Sequence, residues 1–392
     1  MKMKRLIFAL PLAALLFASC SKREVAHYQV MVDAFRENCP VVITDLPEWA
    51  NGVRVYHNGE EIPSQLDKAL GEAAFVADIA VSEEFKVVFT EQPNTTPYES
   101  RVNAQMWWKN EDGTLSERDT LFSYKDDMYR KLHHHGPAIE SEKAAYRVYF
   151  DKKQTIDTYG KKQPQLELRR SMWYSTDEQL AAGFGHDNLR VFGSIGVGVL
   201  KGWDPEKGMT HITDFKRREA RVVAKGPVRA IMEMEVEGWN YCGRELSMIS
   251  RYIIYAGHSD VQVENRIKGD FEGLTFVTGV MKMAGTFARR DDRTVAQIGC
   301  DHPENNYEKW PKEVVALAVS LPEDVQILSA EDDKLSYLYQ VTPDKSGHID
   351  YVFDMAWRKS NWFDEYTDID LVDALFESTK KAAGPIRVTR IK

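Results

Sequence analysis

The chain has 392 residues, 28% of them charged, and a formal net charge of -9. An acidic balance of this size argues against nucleic acid as a partner, because affinity there comes mostly from neutralising phosphates with Lys and Arg. Four cysteines, none in a paired metal-ligand spacing, exclude a zinc knuckle, and with Cys20 set aside Cys39, Cys242 and Cys300 allow at most one internal disulfide.

The first predicted element is an export leader. Lys2, Lys4 and Arg5 precede an apolar run over 6–17 that ends in Ala18-Ser19-Cys20. Such a run falls short of the roughly 20 residues that span a bilayer, so it reads as a cleaved signal rather than a membrane helix. The layout is a lipoprotein signal peptide over 1–19, lipid on Cys20, a tether over 20–40 and a single β domain over 41–392. Ser21-Lys22-Arg23-Glu24 carries no acidic cluster, which favours the periplasm-facing side of a Gram-negative envelope over the cell surface. The only membrane contact expected is the lipid anchor.

From 41 onward, short apolar runs alternate with turn residues. Val41-Val42-Ile43 and Val53-Arg54-Val55-Tyr56 read as strands, and Asn58-Gly59 after the second is a hairpin signal. Residues 93–97 are predicted to turn. Residues 99–136 are polar and aromatic without a clear period, so they read as long loops carrying Trp107, Trp108 and Tyr129. Strict alternation follows: Tyr146, Val148 and Phe150 share one face, with Arg147 and Tyr149 on the other. Further strands fall at 230–236, 246–255, 261–267, 314–321 and 349–357. At least eight strands with turn chemistry between them predict a mainly β fold, a large antiparallel β-sandwich. One helix is written near the end, where Ile369, Val372, Leu375, Phe376 and Thr379 keep helical spacing. Thr367 and Asp370 resemble a capping box, and Gly384-Pro385 supplies a stop.

The stretch richest in chemistry is His133-His134-His135-Gly136-Pro137, followed by Glu140. Three adjacent imidazoles beside a turn suit a loop site for proton transfer or substrate hydrogen bonding. Two of them with Glu140 are the alternative, a divalent-metal site, although no metal signature is matched and no cofactor is predicted. Arg147 on a strand beside tyrosines suits bidentate pairing with a substrate carboxylate. Lys161 adds positive charge on the next run. The glycine-rich stretch 185–198 has no βαβ context, which rejects a dinucleotide fold, and its His186 and Asp187 are candidate site residues beside a turn-stabilising alternative. Trp239, Arg251 and His258 could line a saccharide groove through stacking, carboxylate pairing and hydrogen bonding. No Gly-x-Ser-x-Gly elbow, Walker loop or His-Glu-x-x-His occurs.

The succession of His133-His134-His135-Gly136-Pro137, Tyr146-Arg147-Val148-Tyr149, Asp157-Thr158-Tyr159-Gly160-Lys161, Gly193-Ser194-Ile195-Gly196-Val197-Gly198 and Gly226-Pro227-Val228-Arg229-Ala230 resembles the "domain of unknown function 4861" family over most of the mature chain. That resemblance implies a galactose-mutarotase-like supersandwich and a place among exported proteins of bacterial polysaccharide utilisation. It also implies an activity similar to an oligosaccharide dehydratase of ulvan breakdown, with an oligosaccharide as partner. Elimination across C4 and C5 of a uronate needs carboxylate neutralisation, a base and an acid. Arg147 or Arg251 is expected at the carboxylate, and a histidine from 133 to 135 with Tyr146 or Tyr149 as the proton-transfer pair. Glu140, Lys161, His186, Asp187, Trp239, Arg251 and His258 are expected to bind substrate. The competing expectations are a glycoside hydrolase using Glu140 and Asp187, and a non-catalytic glycan-binding lipoprotein.

Overall fold

The computed structural model describes residues 22–94, 98–304 and 306–392. The leader and Cys20 lie outside the described residues, as do residues 95–97 of the predicted turn. The centre is a nine-stranded antiparallel sheet running from Thr120–Ser123 at one edge to Ala284–Arg290 at the other. Strands alternate apolar side chains inward, as with Met232, Met234, Met248, Tyr252, Val263, Leu317 and Phe353. Two five-stranded sheets cover that inner face. One contributes Val102, Ala104, Ile139, Tyr146 and Val148 to the shared core, the other Phe276, Val280, Leu338 and Val341. The fold is therefore the predicted β-sandwich. Among the described residues, no helix is long and apolar enough to cross a membrane.

Within residues 20–40, expected as a tether, 23–31 and 36–40 lie in strands instead. Arg23–Met31 lies between Ser82–Thr90 and the last strand, Arg387–Arg390, while Arg36–Ile43 pairs with Glu72–Ile79. Val30, Val41, Val53, Phe75, Val87 and Phe89 bury into a second core separate from the first. The polar residues in 22–40 hid an alternation whose buried half is Ala26, Tyr28 and Val30. This small sandwich rests on the outer face of the large sheet. Arg229 fixes it there by reaching Asp67 (2.7 Å) and Glu72 (2.6 Å).

The predicted hairpin turns at Asn58 and Gly59, both with positive φ. The predicted helix spans Asp368–Ala382 behind a capping box formed by Thr367 and Asp370. It packs Leu371, Val372, Leu375 and Phe376 on a platform of Ala296, Ala316, Ala318 and Ala356, small residues that let helix and sheet approach. Part of the expected long loop over 99–136 is strand as well: Val102–Gln105, Trp107–Lys109, Leu115–Glu117 and Thr120–Ser123. These strands are three or four residues long, too short for a period to show.

Candidate active site

The site grows from the five-stranded sheet ordered His186–Asp187, Ile156–Gly160, Ala144–Val148, Ala138–Ser141, Val102–Gln105. Pairing sets Arg147 directly opposite Asp157, and Tyr159 opposite Asp187. Period-two alternation then aims Arg147 and Asp157 away from the core that holds Tyr146 and Val148. Arg147 is buried. Its guanidinium meets Asp157 (2.7 Å), Asp187 (2.8 Å) and the Tyr149 hydroxyl (3.0 Å), and stands 4.5 Å from the centre of the buried Trp173 ring. Tyr149 donates to Asp157 at 2.6 Å. Trp173 belongs to a segment that leaves the helix Leu168–Ser171 through two positive-φ residues, Met172 and Trp173, and its indole N–H donates to Asp187 Oδ2 at 2.9 Å.

The two carboxylates are unequally served. Asp157 accepts from Arg147 twice, from Tyr149 and, through Oδ1, from the backbone N–H of Thr158. Asp187 accepts only through Oδ2; its Oδ1 is buried without a partner. Burial, with the negative charge of Asp157 added, raises Asp187 well above the ordinary carboxylate range, despite the opposing pull of Arg147. Asp187 lines a cavity, and its burial favours the protonated form. Burial also carries Tyr149 well above the usual phenol range, with Arg147 unable to offset it, so Tyr149 is not the lowered-pKa base expected.

The three histidines form one 3₁₀ turn whose side chains diverge. His133 uses Nε2 on the Met172 carbonyl (2.8 Å). His134 is fully buried at φ 41°, and neither ring nitrogen has a partner; burial and then the Arg147 charge hold it neutral. His135 alone faces the cleft. It stacks on Tyr129 with ring centres 3.9 Å apart, and its Nδ1 donates to the Tyr129 carbonyl at 2.9 Å. A carbonyl only accepts, so Nδ1 carries the hydrogen and the neutral ring keeps its lone pair on Nε2. Burial pushes His135 down to about 4, so that lone pair is present at neutral pH. Gly136 makes this turn possible: a Cβ there would fall 1.8 Å from the Val148 carbonyl oxygen.

Tyr129, His135, Arg147, Tyr149, Asp187 and Arg190 line a cavity of about 240 Å³. A second cavity of about 340 Å³, walled by Ser175, His186, Lys309 and Trp310, shares Tyr174, Asp187, Pro303 and Glu304 with it. If His135 is the base, His135→Ala should lower turnover by about 10². In the native protein kcat/KM should fall as pH drops through about 4, where the ring gains its proton and ceases to accept one. A pH–rate profile checks both, with His133→Ala expected to leave that acid limb in place.

Other expected site residues lie elsewhere. Tyr146 is core, its hydroxyl bonded to the Ser259 carbonyl. Glu140 and Lys161 are a buried pair at 2.5 Å; Glu140 also accepts from the N–H groups of Glu167 and Leu168, which removes it as substrate ligand, metal donor or hydrolase carboxylate. Trp239 is buried against Tyr241, with ring centres 4.7 Å apart. Arg251 joins Glu233 and Glu264 in an ion-pair ladder on the outer face of the large sheet. His258 is half-buried between Asp260 and the Asn38 carbonyl, where the small sandwich docks. Among the described residues, no three His, Cys, Asp or Glu side chains are grouped to hold a metal ion. Sequence reasoning assigned no role to Asp157, Tyr129, Trp173, Tyr174, Arg190, Glu304 or Trp310.

A family model described as domain of unknown function (DUF4861) matches residues 37–388. No curated protein matches the chain significantly. Among solved structures, a protein in glycosyl hydrolase family 38 from Enterococcus faecalis aligns with 94% of this chain and 47% of its own, at 9% identity and a TM-score of 0.40. An alpha-mannosidase from Enterococcus faecalis V583 aligns with 94% of this chain and 46% of its own, at 8% identity and a TM-score of 0.40. The chain spans about half the length of these two structures.

Proposed function

The chain belongs to the family described as domain of unknown function (DUF4861), and we propose that its cleft is the active site of an enzyme performing β-elimination on uronic-acid-containing oligosaccharides. The observation that carries this reading is that Asp187 and His135 line one cavity, Asp187 with a carboxyl oxygen that no group donates to and His135 with Nδ1 committed to a backbone carbonyl. Burial favours the protonated acid in the first and the neutral ring, with its lone pair on Nε2, in the second. An elimination needs that pair. His135 Nε2 takes the C5 proton, the C5–H electrons become the C4–C5 double bond, and the C4–O bond breaks as its oxygen takes the Asp187 proton. Water leaves in a dehydratase, and a sugar leaves in a lyase.

The role first expected of Arg147 moves to its neighbours. The Asp157 carboxylate already neutralises Arg147, and Asp187 Oδ2 also accepts from it, which makes Arg147 the residue that positions Asp187 and Asp157. Lys153 lines the same cavity and supplies positive charge for the uronate carboxylate, beside Arg190, which also faces Asp301 at 4.0 Å. The family resemblance to polysaccharide-utilisation proteins supports an oligosaccharide substrate, and the export signal with Cys20 supports a lipid-anchored, periplasm-facing location. A second reading, a glycoside hydrolase, is favoured by Asp187 and Glu304 both lining the two cavities.

The test is to incubate the purified protein with uronate oligosaccharides while recording the ultraviolet band of a conjugated enol ether, then weigh the products. A new chromophore with loss of one water indicates a dehydratase, and a chromophore with chain cleavage a lyase. Cleavage without a chromophore replaces the elimination with the hydrolase. Saturable binding with unchanged sugars leaves a binding module.

A further inference from the structure

The two cavities differ in character, although they share a wall. The Asp187 cavity carries Arg190, Lys153 and His135, whereas the adjoining one is dominated by rings. Its cation, Lys309, is already paired with Asp177 at 3.0 Å. Glu304 stands on the border, where it would repel a second carboxylate. What remains is an amphipathic surface: the half-buried Trp310, the exposed Tyr174, and the polar side chains of Ser175 and Asn306. Rings flanked by hydrogen-bonding groups suit the apolar face and hydroxyl rim of an uncharged pyranose.

The platform is also built into the acid's own support. The His186 ring lies between Trp310 and Trp357, with centres 5.1 and 5.0 Å away, and its Nδ1 donates to the Asp187 carbonyl at 2.5 Å. The Trp310 backbone is held in turn by His302, whose Nδ1 donates to the Trp310 carbonyl at 2.9 Å. A sugar bound on Trp310 therefore rests against the same backbone that sets Asp187.

We infer that the Trp310 cavity is a second sugar subsite for an uncharged pyranose joined to the uronate, so that the smallest efficient substrate is a disaccharide with one acidic and one neutral unit. This rests on the reading of the Asp187 cavity as the uronate site. Trp310→Ala tests it on two probes: methyl glucuronide, and an aldobiouronic acid made of glucuronic acid and one neutral sugar. Binding is followed by tryptophan fluorescence and turnover by the ultraviolet chromophore. The substitution should weaken binding of the disaccharide, and raise its KM, about tenfold more than it does for methyl glucuronide. Equal weakening for both probes, or unchanged disaccharide affinity, overturns the subsite, as does failure of the native protein to bind the disaccharide more tightly than methyl glucuronide. Selective tight binding without any chromophore would instead overturn the elimination chemistry while supporting the subsite.

Discussion

Asp187→Asn is expected to lower kcat/KM on uronate oligosaccharides by about 10²–10⁴, the range over which a positioned general acid contributes. The variant is chosen because it separates chemistry from structure. An Asn side-chain oxygen can still accept from Arg147 and from the Trp173 indole, the two bonds that Oδ2 makes in the native protein. What it cannot do is release a proton. Thermal unfolding and tryptophan fluorescence should stay close to native while turnover collapses. The native pH profile should show the counterpart: an alkaline limb above the ordinary carboxylate range, where Asp187 loses its proton, which the variant lacks. Turnover within tenfold of native would remove Asp187 as the acid.

Arg147→Met should produce the largest loss of stability, about 3–5 kcal/mol, because it leaves the buried Asp157 carboxylate without its cation and Asp187 Oδ2 without a donor. Asp157 would then be an unpaired charge in a site screened from water and would have to take up a proton for the fold to persist. Adding Asp157→Asn to Arg147→Met removes that charge and should recover part of the loss. Denaturant unfolding of the native protein, the single variant and the double variant reads this directly. If Arg147→Met lies within 1 kcal/mol of native, the guanidinium does not balance the Asp157 charge.

Much of the architecture was readable because it depends on local pattern. Alternation at 146–150 separated Tyr146 from Arg147 correctly, and the capping residues located the last helix. The misreadings share a cause: a charged or aromatic residue inside a strand looks the same whether it faces a ligand or a buried partner. Glu140 and Lys161 lie on different strands and find each other only once the sheet forms. Arg251 and Trp239 alternate as expected, but the first meets carboxylates on an outer face and the second meets Tyr241 in the core. His135, Arg147, Tyr149, His186 and Asp187 converge around the two cavities, yet Trp173 and Trp310 come from segments whose placement depends on tertiary contacts. Asp157 did leave a signal. In a hairpin turning at 151–155 it is the residue that must oppose Arg147.

The position of Arg23–Met31 inside its sheet bears on how the molecule would carry load. A strand hydrogen-bonded on both sides, to Ser82–Thr90 and to Arg387–Arg390, resists a pull along its axis in shear. Its bonds lie across the direction of force and must yield together rather than unzip one by one. Tension entering at Arg23 would be shared by neighbours from both distant parts of the chain before it reached the cleft.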